Sequence, residues 1–146
     1  MYIKQIYTNC LAQASYYIES ENEAVIIDPI RDMSLYIDLL KERNVRLKYI
    51  FETHFHADFV SGHVTLAKLT NASIVFGPGS DTGYYSIQAK DNQEFNCGSL
   101  KFRVLHTPGH TMESVCYLLL LEDTPQAVFT GDTLFIGEVG RPDLAV

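Results

Sequence analysis

Basic residues are scarce. Against 18 Asp and Glu the chain sets only 11 Lys and Arg, and its formal net charge is −7. No Lys/Arg cluster breaks that balance, so a nucleic acid or an anionic membrane surface is excluded as the main partner, since either needs a basic patch. Cysteines are few. Cys10, Cys97 and Cys116 stand far apart without a Cys-x-x-Cys pair, which argues against a thiolate zinc knuckle or a redox dithiol and suits a reducing compartment. Long apolar runs are missing as well. No segment reaches the roughly 18 residues of a membrane span, and the first residues lack the apolar core of a signal peptide. These absences lead to the expectation of a cytoplasmic protein.

What is present is a composition of 47% hydrophobic and 20% charged residues over 146 positions, enough for one globular domain with a real core, residues 1–146. Apolar, β-favouring runs at 1–7, 14–19 and 24–28 are separated by polar breakers and read as strands. Residues 33–43 carry Leu35, Ile37, Leu39 and Leu40 at helical spacing and stop at Asn44,. Strand character returns at 47–53, a second helix is expected over 61–69, and further strands at 73–76, 100–106, 115–121 and 127–130. The turn-rich segment 77–83 lacks the spacing of a phosphate loop. The order β-β-β-α-β-α-β followed by strands implies α and β elements layered on one another, an α/β (α+β) class.

Three of these strands end alike. The strand at 47–53 runs into His54-Phe-His56-Ala-Asp58, that at 100–106 into Thr107-Pro-Gly-His110, and that at 127–130 into Gly131-Asp132. Each delivers an imidazole or a carboxylate to a loop beyond a strand, where a rigid scaffold can aim short loops at one point. Side chains two apart on an extended segment can share a face, so His54, His56 and Asp58 are expected to face one pocket. Imidazole nitrogen with carboxylate oxygen is a ligand set for Zn²⁺ or Fe²⁺. A lone His-x-His, a lone Pro-Gly-His and a lone Gly-Asp are each ordinary turn or surface features. Four of the five histidines, His54, His56, His106 and His110, fall in or beside these strand ends, which makes a metal centre the better reading.

The motifs Thr53-His-Phe-His-Ala-Asp58, Thr107-Pro-Gly-His-Thr111 and Thr130-Gly-Asp-Thr133 resemble the successive metal motifs of the metallo-β-lactamase superfamily. The tail Gly131-Asp-Thr-Leu-Phe-Ile-Gly-Glu-Val-Gly-Arg-Pro-Asp143 resembles its persulfide dioxygenase branch, including bacterial forms fused to rhodanese domains. The resemblance implies an αββα sandwich, here mainly its N-terminal half. It also implies one Fe(II) per chain held by His54, His110 and Asp132. Around it, His56 and Asp58 would act by hydrogen bonds, and Arg141 would help hold a thiol substrate. The implied partners are a small thiol persulfide and O₂, turned over to sulfite and thiol.

Two departures matter. The commoner superfamily motif ends His-x-His-x-Asp-His, and its last histidine helps hold a second metal. Phe59 stands there instead and cannot ligate, so a mononuclear centre is expected. The alternatives are a zinc-dependent hydrolase of glyoxalase II type and an inactive metal-binding module. Family members also run on beyond the length of this chain, which suggests a truncated polypeptide. The strands at 115–121 and 127–129 are therefore expected to lack part of their cover, and either to drive homo-oligomer formation or to be held by a lost C-terminal segment. Elsewhere His63 and His106 are expected to be structural, Arg141 to pair with substrate or with Asp143 or Glu138, Tyr84 and Tyr85 to pack, and the cysteines to be buried and inert.

Overall fold

The computed structural model describes residues 1–144. It is a mixed α/β fold with two sheets and few helices. The chain groups into two compact units. Unit 1 is residues 1–52, 56–74 and 97–99, and unit 2 is residues 53–55, 75–96 and 100 onward.

In unit 1, β1 (Tyr2–Thr8) pairs antiparallel with β2 (Gln13–Ser20), and β2 antiparallel with β3 (Glu23–Ile27). Helix α1 (Ser34–Arg43) crosses over so that β4 (Arg46–Phe51) lies parallel to β3. Parallel pairing demands such a crossover, because a short hairpin cannot reverse the chain twice. β3 reads as an unbroken apolar run because Ala24, Val25, Ile26 and Ile27 are all buried, the pattern of a strand covered on both faces,. Helix α1 buries Tyr36, Leu39 and Leu40 and stops at Asn44, whose left-handed φ of 52° takes the cap. Helix α2 (His63–Thr70) stops at Asn71 in the same way, at φ 59°. Asparagine tolerates that conformation better than other non-glycine residues, which is why the stop at Asn44 is visible in the sequence.

Glu23 ties unit 1 together. Its carboxylate accepts from Arg46 Nη2 at 2.6 Å, from Lys48 Nζ at 2.8 Å and from the Gly98 amide at 3.0 Å. The Lys48 ammonium and the Gly98 amide hold its pKa down to about 2, from 4.5. A depressed folded-state pKa stabilises fully above the unfolded value and loses that contribution as pH falls through the folded one. Glu23→Gln is therefore expected to cost about 1–2 kcal/mol at neutral pH, after discounting for partial exposure. In thermal melts the gap between wild type and variant should close as pH drops from 4.5 toward about 2. A gap that holds constant over that range would show that the contacts act without the charge.

In unit 2, β6 (Ile87–Gln88) pairs parallel with Val75 and Phe76 of β5 (Ser73–Phe76). β7 (Glu94–Cys97), β8 (Leu100–His106), β9 (Val115–Leu121) and β10 (Thr124–Phe129) make the second sheet, with β8-β9 and β9-β10 antiparallel. Short 3-10 turns lie at Asn9–Leu11, Gly131–Thr133 and Pro142–Leu144. The expectation of an uncovered β9 does not hold: Val115, Cys116, Tyr117, Leu119 and Leu120 are buried. Val128, in the second of the two runs expected to lack cover, is exposed, as are Leu134, Phe135, Ile136 and Val139. No helix among the described residues is long and apolar enough to cross a membrane.

Candidate metal centre

The group built from the three strand ends lies wholly in unit 2. His54 follows Thr53, whose carbonyl accepts from the Val115 amide at 2.8 Å. His110 comes off β8 through the Thr107-Pro108-Gly109 turn. Asp132 comes off β10 through Gly131, which needs its positive φ of 49° and whose missing Cβ would overlap Thr53 Oγ1. The result is one ligand atom from each of His54, His110 and Asp132, all within 4.8 Å of one another. Asp132 Oδ2 lies 3.8 Å from His54 Nε2 and 3.5 Å from His110 Nε2, and the two rings meet edge-on at 5.0 Å between centroids.

These residues fit a metal ion. Ligand atoms on bonds of about 2.0–2.2 Å stand roughly 3–3.5 Å apart, close to the 3.5 and 3.8 Å that separate Asp132 Oδ2 from the two imidazoles. The tautomer fits too. His110 Nδ1 lies 3.2 Å from the Arg141 carbonyl oxygen. A carbonyl only accepts, so Nδ1 carries the proton and Nε2 presents its lone pair toward Asp132, the arrangement in which an outer partner orients a metal-binding imidazole. His54 Nδ1 has Thr53 Oγ1 at 3.0 Å.

His56 does not join this group. It lies in unit 1, where its Nε2 is 3.1 Å from Asp28 Oδ1 and 3.5 Å from Glu52 Oε2. His63 Nδ1 stands 3.3 Å from Glu52 Oε1, which also accepts from Ser61 Oγ at 2.8 Å. Asp28 and Glu52 are 4% and 1% exposed. Burial pushes the Glu52 carboxyl up, against the pull of His63. Burial alone would lower the His56 pKa, but Asp28, Glu52 and Asp58 outweigh it and hold it up to about 9. The imidazole thus faces two buried acidic side chains. His54 falls in unit 2 and His56 and Asp58 in unit 1; the strand ends at Phe51, and the bends from 53 onward leave no extended segment for two-residue alternation to rely on,.

The remaining expected residues fall as follows. Asp58 is exposed. Phe59 packs on the His56 ring at 4.3 Å between centroids. The Arg141 side chain is 70% exposed and pairs with Asp143 at 2.7 Å, while its carbonyl serves His110. His106 Nε2 contacts the Met112 carbonyl at 3.0 Å. Tyr85 is 84% exposed rather than packed. Cys97 and Cys116 are buried, but Cys10 is exposed in the 3-10 turn after β1. Sequence reasoning missed Glu52 and Glu113. Glu52 sits beside the first motif and passes for the end of a strand, whereas Glu113 gave no signal beyond its closeness to His110.

A two-sheet α/β fold whose loops bring two imidazoles and a carboxylate together defines a class of proteins with a metal centre at the strand ends. The chain belongs to the metallo-β-lactamase superfamily: the sequence profile of that family matches residues 8–80, half of the chain. It is 33% identical over 133 residues to hydroxyacylglutathione hydrolase of Francisella tularensis subsp. tularensis, covering 90% of this chain and 51% of that protein. Among solved structures, a metallo-β-lactamase from Staphylococcus aureus subsp. aureus COL aligns with TM-score 0.91 and 41% identity over 99% of this chain and 47% of that one. ETHE1 from Myxococcus xanthus aligns with TM-score 0.88 and 33% identity over 99% and 63%. The chain spans about half the length of the curated relatives it matches.

Proposed function

We propose that this chain is the metal-holding part of a persulfide dioxygenase-like oxidoreductase, which converts a low-molecular-weight thiol persulfide, O₂ and water to sulfite and the parent thiol. The observation that carries the reading is the donor set. Two imidazoles and one carboxylate converge, and Phe59 stands where a further metal-binding histidine would be needed for a second ion. His54, His110 and Asp132 would hold Fe(II), which supplies open positions and one-electron chemistry with O₂ that amino-acid side chains lack.

The chain's own residues do the rest. The Arg141 carbonyl fixes the His110 tautomer. Any part His56 plays at the centre falls to Nδ1, since Nε2 faces Asp28 and Glu52; with Asp58 it would orient bound water by hydrogen bonds. Arg141 would take a substrate carboxylate in place of Asp143, an exchange between exposed partners that costs little. ETHE1, a dioxygenase, among the structural neighbours supports this reading.

The similarity to hydroxyacylglutathione hydrolase favours a second reading, a zinc-dependent thioesterase in which the metal generates hydroxide,. Metal analysis after anaerobic purification, with oxygen uptake and sulfite formation on glutathione persulfide, separates the two. Iron with one O₂ consumed per sulfite is the expected result. Zinc with thioester hydrolysis and no oxygen uptake would replace it with the hydrolase, and a bound ion without turnover would leave a metal-binding module.

A further inference from the structure

We propose that Glu113 is a positioning residue for the metal centre, fixing the His54 and His110 loops to each other through its side chain; the inference rests on the proposed metal site but not on which ion or reaction it serves. Segments 53–55 and 113–115 run past one another in unit 2. The Val115 amide donates to the Thr53 carbonyl at 2.8 Å. In an antiparallel ladder the next bond of that series runs from the Phe55 amide to the carbonyl of residue 113. Here that carbonyl is turned elsewhere and packs against Gly77, where a Cβ would overlap it. The Glu113 carboxylate takes its place, and the Phe55 amide donates to Oε1 at 2.8 Å.

The side chain therefore extends the pairing one step past the point where main chain can. That step lies at the residue next to His54 and three residues after His110. Glu113 is 9% exposed, and an amide left unsatisfied at such a site loses its place as well as its bond,. Further contacts make the His110 side of the clamp rigid. The Thr111 amide donates to Ser114 Oγ at 3.2 Å, and the Thr107 amide donates to the Ser114 carbonyl at 2.9 Å. Glu113 thus holds the Phe55 amide, next to His54, from a segment braced by Ser114, and the distance between the two imidazoles follows from its length.

The test uses Co²⁺ as probe, with affinity read by chelator competition and ligand geometry by the visible d–d spectrum. Glu113→Gln keeps an oxygen acceptor at the same reach without charge and should bind within about twofold of wild type. Glu113→Asp keeps the charge but draws the acceptor back by one carbon, and Glu113→Ala removes it. Both should bind about 10–100-fold more weakly, the usual cost of losing an outer partner of a ligand, with an altered spectrum. Glu113→Gln as weak as Glu113→Ala would make the charge, not the acceptor, responsible. Wild-type affinity and spectrum in Glu113→Asp and Glu113→Ala, with only a lower melting temperature, would make Glu113 merely structural. Either result overturns the proposal. Asp132→Ala is the separate control: if it binds Co²⁺ as wild type does, the metal site itself is wrongly placed.

Discussion

Asp132→Ala should abolish stoichiometric metal binding while leaving the metal-free fold near wild-type stability, and His56→Ala should do the reverse. Asp132 brings the only carboxylate of the unit 2 group and lies on a 3-10 turn with its side chain 38% exposed. Its loss removes a charge that the fold does not need, and surface truncations of that kind change stability by about 0.5 kcal/mol or less. His54→Ala and His110→Ala should share the metal phenotype. His56 is different. Truncating it leaves Asp28 and Glu52 buried and facing each other without their shared imidazole, a loss of the kind that costs about 3–5 kcal/mol. Its metal affinity, measured on the folded fraction, should fall less than that of Asp132→Ala. Inductively coupled plasma analysis with chemical denaturation of the metal-free proteins reads both axes. Equal metal loss from His54, His56, Asp58, His110 and Asp132 variants, with equal stability, would sink the division into two groups.

That division marks how far the sequence could be read. The longer strands, both helices and the first helix's asparagine stop were legible because each rests on local chemistry: apolar periodicity within the element, and at Asn44 a residue that accepts a left-handed φ,. β6 and β7 were not, since Ile87–Gln88 and Glu94–Cys97 are too short to show a period. The convergence of His54, His110 and Asp132 was legible for a similar reason. His54, His110 and Asp132 each follow a strong strand signal, and the family's motifs name the same positions. The fate of His56 was not, because it depends on Asp28 and Glu52. Asp28 holds its carboxylate at an unusual φ of 48°, and Glu52 ends up as the most buried carboxylate of unit 1 while looking like the end of a strand. Glu113 was illegible for the same cause. Its proposed role rests on a carbonyl turned toward Gly77 and on a partner, Phe55, 58 positions away in the chain, and nothing in the local pattern announces a side chain that takes a backbone amide.

Gly140→Ala should cripple the metal centre although residue 140 contributes no ligand. After Asp132 the chain turns back on itself: Leu134 and Val139 form an antiparallel bridge, and the Phe135 amide donates to the Glu138 carbonyl at 2.9 Å. The returning strand passes so close to the Asp132 backbone that a Cβ on residue 140 would overlap the Asp132 carbonyl oxygen and stand 3.1 Å from His110 Cβ. Neither obstacle is the flexible end of a side chain, so the backbone at 140–141 has to move. The next residue is Arg141, whose carbonyl holds the His110 Nδ1 proton. Displacing it frees the imidazole to rotate or to take the other tautomer, which removes the lone pair from the site, and it pushes Asp132 out of register with both histidines. The expected loss is about 10–100-fold in metal affinity, as for other outer partners, against about 1–3 kcal/mol of stability for the steric overlap. Gly83→Ala is the matched control, since a Cβ there meets nothing within 4 Å; it should leave both quantities unchanged. Chelator competition on Gly140→Ala decides the point: an affinity equal to that of Gly83→Ala would mean that the loop after Asp132 yields without disturbing His110, and that the closeness of Gly140 is packing alone.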